Sequence, residues 1–233
     1  MDGVLVDTRG SYQLTTLQTV KFFTKKWVTL RELHAWKNRP GFNDDWKLST
    51  AWVNDLGGDF SYGEVKKKFQ DIYWGENNQG NVRKEKWLLR KSTLARLSQR
   101  SALAIFTGRN WHELNYTLDR NKVRRNFKTI VTVEEVANPK PAPDGLMKIL
   151  NGRAPSQALY VGDNIDDALA AQSAQVPFLA ILPKTGEERR QRSTRLRELG
   201  ALDILSDISQ LEAWLRNPKT SRFRSSTSLP PTL

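Results

Sequence analysis

The chain has 233 residues, 37 Lys and Arg against 25 Asp and Glu for a formal charge of +12, and 38% hydrophobic residues. That length and composition allow a sizeable core, in one domain with an insert or in two small domains. With no cysteine, a disulfide scaffold, a thiolate zinc or iron–sulfur site and a cysteine nucleophile are excluded; two histidines leave little for a histidine-built cluster, so metal chemistry must use carboxylates.

No run approaches the roughly 20 apolar residues of a membrane span, and no basic-then-apolar leader opens the chain. A cytoplasmic protein with no membrane partner is expected. The positive charge favours anionic partners, phosphorylated small molecules ahead of nucleic acid, because the basic residues are scattered with no stripe of interleaved aromatics.

In chain order, residues 11–100 show helical spacing and no convincing strand run. Ser11 is placed to cap a helix running to about residue 26, and further helices fit 30–37, 44–55, 62–73 and 82–97, with breaks at Pro40-Gly41, Gly57-Gly58 and 75–80. Six of the eight tryptophans (Trp27, Trp36, Trp46, Trp52, Trp74, Trp87) fall here, and their expected use is to pack a helical bundle.

From residue 102, apolar β-type runs at 102–106, 129–133, 158–161, 176–182 and 202–205 alternate with helical patterns near 111–118, 144–150, 165–172, 186–199 and 208–215. Runs this apolar with helices between them argue for a parallel sheet covered on both faces, a doubly wound α/β core. The expected organisation is a core from 1–12 and 100–216, a helical insert over 13–99, and a disordered basic, Ser- and Pro-rich tail over 217–233.

Four segments carry chemistry. Met1-Asp-Gly-Val-Leu-Val-Asp-Thr8 opens the chain, Ile105-Phe-Thr-Gly-Arg109 follows a strand run, and Asn138-Pro-Lys-Pro-Ala-Pro-Asp144 puts a lysine in a proline-rich loop. Val161-Gly-Asp-Asn-Ile-Asp-Asp167 joins a strand end to a helix. Ligands of an open parallel sheet bind at the carboxyl ends of its strands, where all four segments fall. The plainer alternatives are an Asn/Asp helix cap at 162–167 and a solvated loop lysine at Lys140. Arg39 and Asn43, in a polar turn of the insert, fit either substrate contact or a solvated turn, and Arg109 fits either a substrate anion or a carboxylate partner. His34 and His112 read as structural, and the basic run from Arg189 to Arg197 as a solvated helix face.

Together the four segments make the chain resemble a haloacid dehalogenase (HAD) superfamily hydrolase of subfamily I, with a Rossmann-like core and a helical cap between the first and second motifs. The resemblance implies a Mg²⁺-dependent phosphatase acting on a small phosphorylated metabolite through an aspartyl-phosphate. Displacement at phosphorus depends on positioning and charge stabilisation. In that scheme Thr107 and Gly108, with nearby backbone amides, hold phosphoryl oxygens, and Lys140 offsets negative charge. Asp163 binds Mg²⁺ directly, and Asp167 binds it or orients its waters.

The first motif of the family reads Asp-x-Asp-Gly at the end of a central apolar strand. Here Met1 stands at x, so Asp2 matches the second aspartate, the general acid/base whose carbonyl also meets the metal. The strand and the nucleophile are expected just upstream of Met1. The alternative is a chain that cannot form an aspartyl-phosphate and instead binds a phosphorylated ligand or an anionic partner. Asp7 is expected to hydrogen-bond within the loop leading to the cap, with Thr8. The substrate's identity and the oligomeric state have no signature in the sequence.

Overall fold

The computed structural model describes residues 1–42 and 44–217, the side chains of 187, 188 and 191 apart. Asn43 and all of the expected tail but residue 217 lie outside the described residues. Contacts divide the chain into two units: an inserted unit of Asp2 and Val6–Trp87, and a core unit of Met1, Gly3–Leu5 and the chain from Leu88 onward.

The inserted unit begins with a short strand, β1 (Val6–Asp7), and a π-helical turn over Arg9–Gln13. Four helices follow: α1 (Leu14–Thr24), α2 (Leu30–Lys37), α3 (Asp45–Asp55) and α4 (Tyr62–Trp74). Their starts are written locally. Thr29 and Glu32 form a capping box on α2, Ser61 and Glu64 form another on α4, and the Asp44 carboxylate accepts from the backbone N–H of Trp46 and Lys47 on α3. Val20, Leu33, Trp36, Leu48, Trp52 and Val53 make the buried cluster of this unit. Trp36, Trp46 and Trp52 are buried as expected, but Trp27 is 83% exposed with the Lys21 ammonium 3.1 Å over its ring, so it is not bundle filler.

The unit closes with β2 (Lys86–Trp87), antiparallel to β1 in the register Val6↔Trp87 and Asp7↔Lys86. This corrects the expected helix over 82–97 and the expectation of no strand in this stretch. The chain makes a turn at Asn81–Lys84, then β2, and only then helix α5 (Lys91–Arg100). Residues 86 and 87 are extended because their hydrogen-bonding partner lies some 80 positions away, which helical periodicity does not encode. The same ladder moves the division of the chain. Residues 6–12 belong with the inserted unit, and 88–99 with the core unit.

In the core unit, α5 is followed by β3 (Ala104–Phe106), α6 (Trp111–Asn121), β4 (Thr129–Val131), α7 (Asp144–Leu150) and β5 (Tyr160–Gly162). Then come α8 (Ile165–Ser173), β6 (Phe178–Ile181), α9 (Glu187–Glu198), β7 (Ala201–Leu205) and α10 (Leu211–Arg216). Every pairing here is parallel, so the expected α/β architecture with alternating strands and helices is present. β6 is buried along its whole length, as a strand covered on both faces must be. Phe106, Val131, Leu146, Leu150, Ile165 and Phe178 belong to one apolar cluster. The sheet is nevertheless in two parts, β3–β4 and β5–β6–β7, and among the described residues no ladder joins β3 to β5.

Candidate active site

The core unit gathers its chemistry at the carboxyl ends of β3, β4 and β5. Thr107 follows β3 and is buried; its N–H donates to the Val131 carbonyl at 3.0 Å, and its hydroxyl accepts from the Arg109 N–H at 3.2 Å. Gly108 is exposed beside it. Lys140, in the loop after β4, turns back so that its ammonium lies 5.0 Å from the centre of the Phe106 ring, one residue before Thr107.

Lys140 is not a solvated lysine. Its ammonium donates to Asp167 Oδ1 at 2.8 Å, with side-chain exposures of only 6% and 5% for the pair. The Tyr160 hydroxyl donates to the same oxygen at 2.6 Å. Asp167 Oδ2 accepts from the backbone N–H of Asp163 at 3.1 Å and of Asn164 at 3.2 Å. Burial alone would raise the Asp167 carboxyl, but the Lys140 charge, the charge of the chain's amino terminus and the hydrogen bonds from Lys140 and Tyr160 together outweigh it and hold the group well below its ordinary range. Burial and the Asp167 charge push the Tyr160 phenol up. The helix-cap alternative and the functional reading thus describe the same residue. Asp167 completes the capping box at the start of α8 with one oxygen and receives Lys140 with the other.

Four donors on its two oxygens let Asp167 fix the loop that bears Asp163. Asp163 is the half-buried carboxylate at the mouth of this loop. Its surroundings are tight on one side: Gly3 has φ +67, and a Cβ there would stand 2.0 Å from Asp163 Oδ2. The opening segment therefore passes against the Asp163 carboxylate, and the Asp-Gly pair at positions 2 and 3 needs its glycine. Gly162 serves the neighbouring contact, since a Cβ there would lie 2.6 Å from the Asp167 Cβ.

Two arginines lie inside the core unit. Arg109 is 2% exposed and donates to Thr117 Oγ1 at 2.7 Å, which ties it to α6. Arg192, in the run expected to be a solvated face of α9, is also 2% exposed and donates to the Asp163 carbonyl at 3.3 Å. The pattern of charge on α9 gave no sign of this, because nothing local distinguishes Arg192 from its neighbours. Tyr160 was likewise missed; its place as the last aromatic before the Gly-Asp step was the available signal.

In the inserted unit, Asp2 bridges to Val6 and is half-buried. Asp7 hydrogen-bonds within its loop as expected, its Oδ1 accepting from the Arg9 backbone N–H at 3.0 Å and its two oxygens from the Arg9 guanidinium at 2.9 and 2.6 Å. Arg39 is exposed, with its guanidinium 4.1 Å over the Trp36 ring. No group of three or more acidic or histidine side chains is arranged to hold a metal ion among the described residues. The donor set fits Mg²⁺ all the same, because that ion is usually held by one or two carboxylates with water and substrate phosphate completing its shell.

A parallel α/β core with an inserted helical unit and a strand-end cluster of Thr, Lys and Asp is the arrangement of a haloacid dehalogenase-like protein. The family model for haloacid dehalogenase-like hydrolases matches residues 1–181, and the chain belongs to that family. It is 29% identical over 195 residues to an imidazoleglycerol-phosphate dehydratase of Phytophthora nicotianae, covering 79% of this chain and 43% of that protein. It is 30% identical over 92 residues to the pyrophosphatase PpaX of Oceanobacillus iheyensis, covering 38% of this chain and 43% of that one. The chain thus spans less than half the length of each of these relatives. A subfamily IA HAD-superfamily hydrolase of Geobacter sulfurreducens shares the fold, with a TM-score of 0.57 at 22% identity over 92% of this chain and 95% of that one. No helix among the described residues is long and apolar enough to cross a membrane.

Proposed function

We propose that the protein is a Mg²⁺-dependent phosphatase that hydrolyses a small phosphorylated metabolite through an aspartyl-phosphate, the nucleophilic aspartate standing immediately before Met1. The observation that carries this reading is the buried Lys140–Asp167 pair locked onto the loop that bears Asp163. A buried ion pair is costly to maintain for stability alone, and here it holds a cation and a half-buried carboxylate at the carboxyl end of a strand, where open parallel sheets bind their ligands.

In the first half-reaction the nucleophile's carboxylate oxygen bonds to phosphorus while the ester oxygen departs, taking a proton from Asp2. In the second, Asp2 accepts a proton from water as the water oxygen attacks phosphorus, releasing inorganic phosphate and restoring the carboxylate. Thr107 and the Gly108 amide hold phosphoryl oxygens and Lys140 offsets their charge. Asp163 and the Asp2 carbonyl would hold Mg²⁺, which when bound neutralises charge on the phosphoryl group. Arg109 and Asp167 position Thr107 and Asp163, and Arg39 and Asn43 are the inserted unit's candidates for recognising the rest of the substrate.

The test is phosphate release from an aryl phosphate by a chain carrying an aspartate before Met1. Release should require Mg²⁺ and fall by about 10²-fold or more in Asp163→Asn, the scale of losing one group that stabilises transition-state charge. Release unchanged by that substitution overturns the metal assignment.

A further inference from the structure

We infer that the inserted unit carries a docking surface for an anionic phospholipid bilayer, built from Lys21, Phe22, Lys25 and Trp27 at the end of α1 and from Lys68 of α4. In sequence these lysines are scattered; the fold brings them together around two exposed rings. Six large hydrophobic side chains are exposed among the described residues, and three of them, Phe22, Trp27 and Leu30, fall within nine positions, Trp27 being the most exposed at 83%. Single exposed apolar residues are ordinary on a protein surface, but a group of them set among cations marks an interaction site.

The rings hold the cations. The Lys21 ammonium lies 3.1 Å from the centre of the Trp27 ring, and the Lys25 and Lys68 ammoniums lie 4.8 and 4.0 Å from the centre of the Phe22 ring. Lys68 comes from α4, which packs on α1, so the patch spans two helices. Lys25 donates to the Phe22 carbonyl at 2.8 Å, yet none of the three ammoniums makes an ion pair among the described residues. The acidic groups of this region are engaged elsewhere: Asp71 receives Lys67, and Glu32 accepts from Thr29.

Charge complementarity therefore calls for an anionic partner, and the apolar groups say which kind. A nucleic-acid strand stacks its bases on open ring faces; here cations already sit over the rings, and the aliphatic Leu30 offers a base nothing to stack on. A lipid surface uses both features at once. Aromatic rings settle at the level of the headgroups, and lysines beside them meet the negative charge of the leaflet. Trp27 stands in the connection between α1 and α2, a tip that enters a headgroup layer without unwinding either helix. Two rings and three lysines give reversible binding, far short of a permanent anchor. The surface is independent of the phosphatase reading.

Co-sedimentation of the 233-residue chain with vesicles tests it. Phosphatidylcholine vesicles containing about 30% phosphatidylserine should carry the chain down at about 0.1 M salt, and phosphatidylcholine alone should not. Trp27→Ala should lower partitioning about tenfold and Trp27→Phe, which keeps a ring, much less. The triple variant Lys21→Gln, Lys25→Gln, Lys68→Gln should lower it by about 10²-fold, on the order of fivefold per lysine. Because the chain carries +12 overall, a control triple removes the same charge from exposed residues of the core unit, Lys122→Gln, Arg125→Gln and Lys128→Gln, and should retain most of the binding. Equal loss in the two triples means that binding follows net charge, and overturns the surface; so does a chain that stays in solution with the anionic vesicles, or a Trp27→Ala chain that sediments like wild type. A fluorescent oligouridylate read by anisotropy covers the other class of partner: binding that needs Trp27, with no sedimentation on vesicles, makes the patch a nucleic-acid surface and overturns the inference.

Discussion

Lys140 and Asp167 are the residues at which local and tertiary information meet. Asp167 is drawn to the start of α8 by a helix-capping preference any sequence can express, but its other oxygen is committed to a lysine 27 positions earlier. Removing the lysine alone leaves a carboxylate uncompensated in the interior. Lys140→Met is therefore expected to cost about 3–5 kcal/mol, read as a lower urea midpoint with an unchanged slope. Thr107, Lys140 and Asp163 were legible because their motifs sit at strand ends. Arg109 and Arg192 were not, since a buried arginine and a solvated one look alike until the partner, Thr117 or the Asp163 carbonyl, is known.

At the scale of elements, helices with their own caps were read closely. The expected helices at 30–37 and 62–73 differ from α2 and α4 by at most one residue, because Thr29 and Ser61 sit where N-caps belong. Tryptophan content within the insert was legible, but the fate of each ring was not. Trp52→Ala should cost about 3–5 kcal/mol in thermal or urea unfolding, whereas Trp27→Ala should stay within about 0.5 kcal/mol, the ring being 83% exposed. In the core unit, α5 and α10 are tied by Arg96, whose guanidinium donates to both Glu212 oxygens, at 3.1 and 2.7 Å. Hydrogen bonding and charge from Arg96 hold the Glu212 carboxyl down at about 2, against an ordinary value of 4.5. A depressed folded-state value means that the tie contributes fully above about pH 4.5 and is lost as pH falls toward 2. In Glu212→Gln the part of the acid-induced loss of stability that lies in this window should shrink, and added salt should weaken the wild-type effect because the pair is near the surface.

For the molecule as a whole, the two-part sheet sets an order of local stability. β6 has a ladder on each side and no exposed residue, while β3 and β5 each have one ladder. Amides of β6 are therefore expected to exchange most slowly in the 233-residue chain, and the Phe106 and Val161 amides, which face the edges without a ladder, markedly faster; equal rates would contradict the observed pairing. The class of the fold, the inserted helical unit and the strand-end motifs were determined by the sequence itself. Each rests on short-range signals: apolar runs, capping residues, and chemistry-bearing side chains within a few positions of a strand end. The boundary ladder of β1 with β2, the burial of Arg109 and Arg192, the doubled duty of Asp167 and the gap between β3 and β5 were decided only by tertiary structure. In each of these the controlling hydrogen bond, or the missing one, joins groups whose proximity depends on the folded path of the backbone and not on their spacing along it.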